Sequence, residues 1–133
     1  MSLAPTQSPC PLCWANGLLQ GGRVLGEGDV MYAYGFSDEA GTLKYALLVP
    51  KDHHPTPVTL PDGWGAEFGR LYAVVLEALK GAPHNGYWNE GYTAGQRVLG
   101  HWHVRVEPRF DGQPASSMGL GLLIAEYNKV MSA

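Results

Sequence analysis

Asn89-Glu-Gly-Tyr-Thr-Ala-Gly-Gln-Arg-Val-Leu-Gly-His-Trp-His-Val-Arg105 is the stretch whose reading decides the fold. Two histidines, His101 and His103, stand two residues apart with apolar neighbours, and Gln96 lies five residues upstream of His101. In an extended strand, residues i and i+2 point to the same face. His101, His103 and Arg105 would therefore project together, while Trp102, Val104 and Val106 would turn into a core. Two imidazoles and a guanidinium on one side of a strand suit phosphate chemistry. The glycine-containing turn before them is expected to offer backbone N–H groups to an anion.

Working outward, Val30 to Tyr34 and Leu43 to Val49 are rich in aliphatic and aromatic residues and predict strands. Asp38 to Thr42 supplies the turn between them. Pro55, Pro57 and Pro61 break the chain before a helix over Gly63 to Lys80, where Trp64, Phe68, Leu71, Val75, Leu76 and Leu79 recur near the helical period. Gly81 and Pro83 end that helix. Trp88 to Tyr92 and His101 to Val106 read as strands on either side of the glycine turn. Ser116 or Ser117 is positioned to cap a final helix carrying Leu120, Leu123, Tyr127 and Val130 on one face. Strands, helix, strands, helix predicts an α+β fold with an antiparallel sheet.

The chain has 133 residues, the size of a single domain spanning 1–133, and its 45% hydrophobic content suffices for an ordinary core. A net charge of −3 with no Lys/Arg run argues against a nucleic-acid partner. No apolar run reaches the roughly 20 residues of a membrane span. The start, Met1 to Pro5, lacks the features of a signal peptide, so a cytoplasmic location is expected. Cys10 and Cys13 are the only cysteines, and Cys-x-x-Cys alone fits a metal site, a redox dithiol or chance.

Asn89, Gly91, Ala94, Gly95, Gln96, Val98, His101 and His103 resemble the signature of the histidine triad (HIT) family of nucleotide hydrolases and transferases. Three further segments strengthen the resemblance. Leu47 to His53 is similar to the family's strand followed by Pro-Lys-x-His. Cys10-Pro-Leu-Cys13 resembles the zinc-containing members, and Pro108-Arg109 with Gly119 to Leu123 the tail of some bacterial ones. The departure is Arg105, which stands where the third histidine of the triad would be.

The resemblance implies a HIT-like fold, a homodimer, and a nucleotide as small-molecule partner. It implies His103 as the nucleophile, forming a nucleotidyl-histidine intermediate on substrates such as dinucleoside polyphosphates or adenosine phosphoramidates. Gln96 and Arg105 would assist catalysis. Asn89, Gly95, Gln96 and Arg97 would hold the phosphate, and Asp38, in Phe36-Ser37-Asp38, the ribose. A structural zinc would take Cys10, Cys13, His101 and either His53 or His54. Tyr32, Tyr34 and Phe36 either line a base pocket or simply pack.

Neutral imidazole suits the nucleophilic role, since a pKa near 6.5 leaves much of it unprotonated at pH 7. A backbone carbonyl near Leu99 or Gly100 would fix its tautomer. Arginine supplies charge and a bidentate fork, but gives up no proton at neutral pH. Two alternatives to the enzyme follow: a nucleotide binder without turnover, and a zinc-stapled interaction module. His84, in a Pro-His-Asn turn, reads as a solvated loop residue.

Overall fold

A computed structural model describes residues 9–98, 100–110 and 128–132. Five strands, β1 (Arg23–Glu27), β2 (Met31–Ser37), β3 (Leu43–Pro50), β4 (His84–Tyr87) and β5 (Val104–Pro108), form one antiparallel sheet in the order β1-β2-β3-β5-β4. A long helix, α1 (Trp64–Leu79), lies between β3 and β4 in sequence, and short 3₁₀ turns span Trp14–Asn16 and Pro57–Thr59. Residues 128–131 are helical. The expected cap and most of the face of a final helix, Ser116 to Tyr127, lie outside the described residues. The fold is α+β with an antiparallel sheet, as expected. Among the described residues, no helix is long and apolar enough to cross a membrane.

The helix packs on one face of the sheet. Leu71, Val75 and Leu79 of α1 meet Met31, Ala33, Ala46, Leu48, Val104 and Val106 in a common core. Trp102 is buried there, ringed by Trp64, Phe68 and Trp88 with centroids 5.8, 6.4 and 5.8 Å away. On the opposite face Tyr32, Tyr34, Leu47 and Val49 are covered by Cys10 and Leu12 of the N-terminal segment. Both faces of the central strands are thus buried, which explains why β3 is a nearly unbroken apolar run rather than an alternating one.

Glu67 in the first turn of α1 ties the helix to the sheet. Its Oε1 accepts the backbone N–H groups of Val30 and Met31 at 2.9 and 2.7 Å. Gly28 makes room for this carboxylate: a Cβ there would come within 2.0 Å of the same oxygen.

Three local expectations are corrected. The strand expected over Trp88 to Tyr92 is loop, and β4 lies upstream at His84–Tyr87. Its ladder runs from His84 opposite Pro108 to Tyr87 opposite Arg105, and then Gly91, at φ 89°, turns the chain away. The strand expected from His101 begins only at Val104. Pro50 closes β3, and proline has no N–H with which to extend a ladder. Residues 101–103 pair instead with the bend that follows, through a Trp102 N–H bond of 2.7 Å to the His54 carbonyl. His84 is half-buried rather than solvated, bonded to the Tyr72 hydroxyl and, at 3.1 Å through Nδ1, to the Ala82 carbonyl.

Glu67→Ala should strand two N–H groups at the start of β2. We expect a loss of about 1–3 kcal/mol in urea unfolding. Glu67→Gln, which keeps an acceptor oxygen, should lose less; equal stability of Glu67→Ala and the parent chain would contradict this role.

Candidate active site and metal centre

His101 stands at the junction of two constellations. Its ring is fully buried, and Nε2 lies 2.7 Å from the Pro50 carbonyl. A carbonyl only accepts, so Nε2 carries the proton, and the Nδ1 lone pair faces the other way. There it meets Cys10 Sγ at 3.4 Å and Cys13 Sγ at 3.7 Å. The His53 ring is 5.2 Å from that of His101, and the ligand atoms of Cys10, Cys13, His53 and His101 all lie within 4.8 Å of one another.

These four side chains could hold a metal ion. Two sulfurs and two imidazole nitrogens are a common tetrahedral donor set, and a ligating histidine whose other nitrogen donates to a carbonyl is the usual supporting arrangement. His54 is not in the group: its Nδ1 lies 3.0 Å from the Thr59 hydroxyl. Without a metal, burial and the neighbouring Cys10 raise the Cys13 thiol to about 11. Binding a metal as thiolate would therefore release a proton.

His103 points into the second constellation. Its Nδ1 lies 3.0 Å from the His101 carbonyl, so Nδ1 carries the proton and Nε2 holds the free lone pair. The orienting carbonyl is that of His101, not one near Leu99 or Gly100. Burial lowers the His103 pKa below its ordinary 6.5, opposed by the carbonyl bond and reinforced by Arg105, so the ring is neutral at pH 7. A cavity of about 220 Å³ lies beside it, lined by Tyr87, Trp88, Asn89, Gly95, Gln96, Arg97, Val98, His103 and Arg105. The fold thus brings together every expected site residue on the glycine loop and the following strand.

The loop is organised differently from the expectation. The N–H groups of Ala94, Gly95 and Gln96 bond to the carbonyls of Gly91, Tyr92 and Gly91 at 3.2, 3.0 and 3.1 Å. They close the loop on itself rather than face an anion. The Gln96 side chain is likewise committed: Oε1 accepts from Gly91 N–H at 2.8 Å, and Nε2 donates to the carbonyls of Val98 and His101 at 3.0 and 3.4 Å. Gln96 holds the loop to the segment that carries His101. Gly95, at φ 107°, gives Asn89 its seat, since a Cβ there would stand 3.1 Å from Asn89 Nδ2.

The cations of the cavity are Arg97 and Arg105. Arg97 Nη1 donates to the Tyr92 carbonyl at 3.1 Å and stacks over the Tyr92 ring. Arg105 is more tightly held. Its Nε pairs with Glu107 Oε1, and its guanidinium carbon sits 3.9 Å from the centroid of Tyr45. Tyr87 completes the group by donating its hydroxyl to the same Glu107 oxygen at 3.1 Å. Glu107 and Tyr45 escaped the sequence reading. The i+2 spacing of Arg105 and Glu107 on one strand face was the available signal for the first.

Asp38 stands apart from this cavity. Its Oδ1 accepts the N–H groups of Ala40 and Thr42, both at 2.9 Å, and so closes the exposed turn between β2 and β3. Tyr32 and Tyr34 line a separate hollow of about 210 Å³ with Pro11, Cys13, Trp14 and Leu18, whereas Phe36 stacks on Tyr45.

No protein-family model and no curated protein matches the sequence. Solved structures do. A member of the HIT family from Bacillus subtilis is 19% identical over 95% of this chain and 98% of its own, with a TM-score of 0.58. A HIT family hydrolase from Clostridium thermocellum is 20% identical over 82% and 97%, with a TM-score of 0.59. A histidine triad nucleotide-binding protein from Candida albicans is 21% identical over 92% and 93%, with a TM-score of 0.53. At these identities the likeness is one of fold.

Burial pushes the His101 pKa down from 6.5 to about 4 in the metal-free chain, and the Pro50 bond only partly opposes this. The unfolded chain binds this proton first. The stability due to neutral His101 is therefore complete above pH 6.5 and is lost as pH falls toward 4, by roughly 3 kcal/mol. Urea midpoints measured with a chelator across that window, against His101→Gln, should show the difference; parallel curves would refute it.

Proposed function

We propose that the chain is a nucleotidyl hydrolase or transferase that forms a nucleoside monophosphate adduct on His103, with AMP as the favoured nucleotide. The observation that carries the reading is the His103 tautomer. A neutral ring with its proton locked on Nδ1 by the His101 carbonyl leaves Nε2 as a nucleophile opening on a cavity with two guanidinium groups. Candidate substrates are dinucleoside polyphosphates and adenosine phosphoramidates. The structures it resembles, one titled a HIT family hydrolase and another a nucleotide-binding protein, support the same chemistry.

In this reading Nε2 attacks the α-phosphorus, the bond to the leaving group breaks, and water or another acceptor then releases the nucleotide. Splitting one displacement into two lowers each barrier. Arg105, with Arg97 and Asn89, neutralises and orients the phosphate oxygens. Gln96 keeps the loop against His101 and has no contact role. Asp38, spent in its turn, is left out of the site. The protein acts in the cytoplasm, as a homodimer of single-domain chains.

We assign zinc to the Cys10, Cys13, His53 and His101 group as a structural ion. When bound, it supplies a cross-link between the N-terminal segment and the residue that orients His103. A second reading, a nucleotide binder without turnover, is favoured by one observation. The loop N–H groups that would stabilise a transition state are already bonded to carbonyls of the same loop.

His103→Ala should lower AMP release from diadenosine tetraphosphate by on the order of 10³-fold or more while leaving the far-UV spectrum unchanged. Equal turnover would sink the enzyme reading. AMP-induced thermal stabilisation without product from any conjugate would favour the binder. Metal analysis of untagged protein should find about one zinc per chain, and Cys10→Ser should lose it together with several degrees of Tm. A metal-free chain of unchanged Tm would contradict the assignment.

A further inference from the structure

We propose that this site selects substrates by leaving group, accepting nucleotides joined through a phosphoanhydride (P–O–P) and discriminating against those joined through nitrogen or an alcohol ester. The inference deepens, and rests on, the reading of His103 as nucleophile. It comes from which protons the cavity can and cannot deliver.

When Nε2 of His103 bonds to phosphorus, the electron pair of the breaking bond goes to the departing atom. The ring becomes a phosphoryl-imidazolium. Its one remaining proton, on Nδ1, stays in the 3.0 Å bond to the His101 carbonyl. A departing phosphate oxygen spreads its charge over its neighbours and leaves as an oxyanion. A departing amine or alcohol would leave as an amide or alkoxide and needs a proton from a positioned acid.

The described residues of the cavity offer no such acid. Arg97 and Arg105 carry protons they do not release at neutral pH. Asn89, Gln96 and the indole of Trp88 are not acids. Tyr87 is the one hydroxyl, and its proton is committed to Glu107 at 3.1 Å; burial also raises it above the ordinary phenol range.

What the cavity does offer is matched to an oxyanion. Arg105 meets Glu107 through Nε, so its two Nη groups remain as a fork for phosphate oxygens. Glu107 and the face of Tyr45 hold that fork in one direction. Arg97 adds a second permanent charge on the loop side. A nucleotide whose leaving group is itself a phosphate has an anion for each guanidinium.

Release of the nucleotide is the same for every substrate. Water adds to phosphorus, the P–N bond breaks, Nε2 regains its electron pair, and the water proton passes to solvent. Discrimination therefore lies in the first step and is readable under single turnover.

The test uses the full chain and compares single-turnover AMP formation from diadenosine tetraphosphate and from adenosine 5′-phosphoramidate. The anhydride should react about 10²-fold faster or more, the lower end of what a positioned acid contributes. Arg105→His, which restores a dissociable proton, should raise the phosphoramidate-to-anhydride ratio by about the same factor. Arg105→Gln, which removes charge without adding an acid, should slow the anhydride and give no gain in the phosphoramidate rate, so that a faster phosphoramidate reaction belongs to the histidine variant alone. Phosphoramidate turnover within about tenfold of the anhydride by the parent chain would overturn the leaving-group inference while sparing the nucleophile. No adduct from either substrate would overturn both.

Discussion

One hydrogen bond, from His101 Nε2–H to the Pro50 carbonyl, sets the terms for both sites. It places the only ring proton on Nε2 and so turns the Nδ1 lone pair toward Cys10 and Cys13. It also pins residue 101 to the end of β3, which fixes where its backbone carbonyl points. That carbonyl then accepts from His103 Nδ1 and from Gln96 Nε2. One buried residue therefore decides the tautomer of His103 through its main chain and, through its side chain, which ring nitrogen faces the two cysteines. Proline at position 50 is part of the device. Having no N–H, it cannot carry the ladder on toward residue 102, and main-chain bonds from Lys51 N–H to the Val30 carbonyl and from Trp102 N–H to the His54 carbonyl hold the segment that follows.

Much of the sheet was legible because its residues carry their own period. Leu43 to Val49 read as a strand from its aliphatic and aromatic content, and the apolar positions of Trp64 to Leu79 fit one stripe of a helix. The alternation from His101 to Val106 was also legible, and it survives even though the regular ladder starts three residues later. Side-chain direction in an extended segment depends on backbone angles, not on whether a partner strand completes the bonds. The glycine turn was expected, but the loop that starts at Trp88 and its internal closure were not legible. Its aromatic residues look like strand formers, yet Gly91 and Gly95 take positive φ and turn the chain, and Gln96 satisfies the loop internally. Such closure depends on which amide finds which carbonyl, and composition does not encode that. The histidine of the metal group was open by one position between His53 and His54 for the same reason. The bend after Pro50, not a strand period, decides which ring faces the cysteines.

His84 shows the same lesson on a smaller scale. Between proline and asparagine it looks like a turn residue, but Tyr72 of α1 reaches it across the edge of the sheet. A long-range partner of this kind has no local signature. Asp38 is the converse case. Its place in Phe36-Ser37-Asp38 suggested a ligand contact, while a purely local preference of aspartate for the N–H groups that follow it won.

Arg105 is where charge and proton chemistry separate. A histidine at this place could offer both a cation and an acid. An arginine offers only the first, and the protein has built around that choice. Glu107 and Tyr45 are of use to an arginine, the one through a charge-assisted bond to Nε and the other through its ring face. The surroundings are therefore fitted to arginine as a fixed electrostatic element. In the proposed reaction, a group held in this way would stabilise oxyanions rather than move protons.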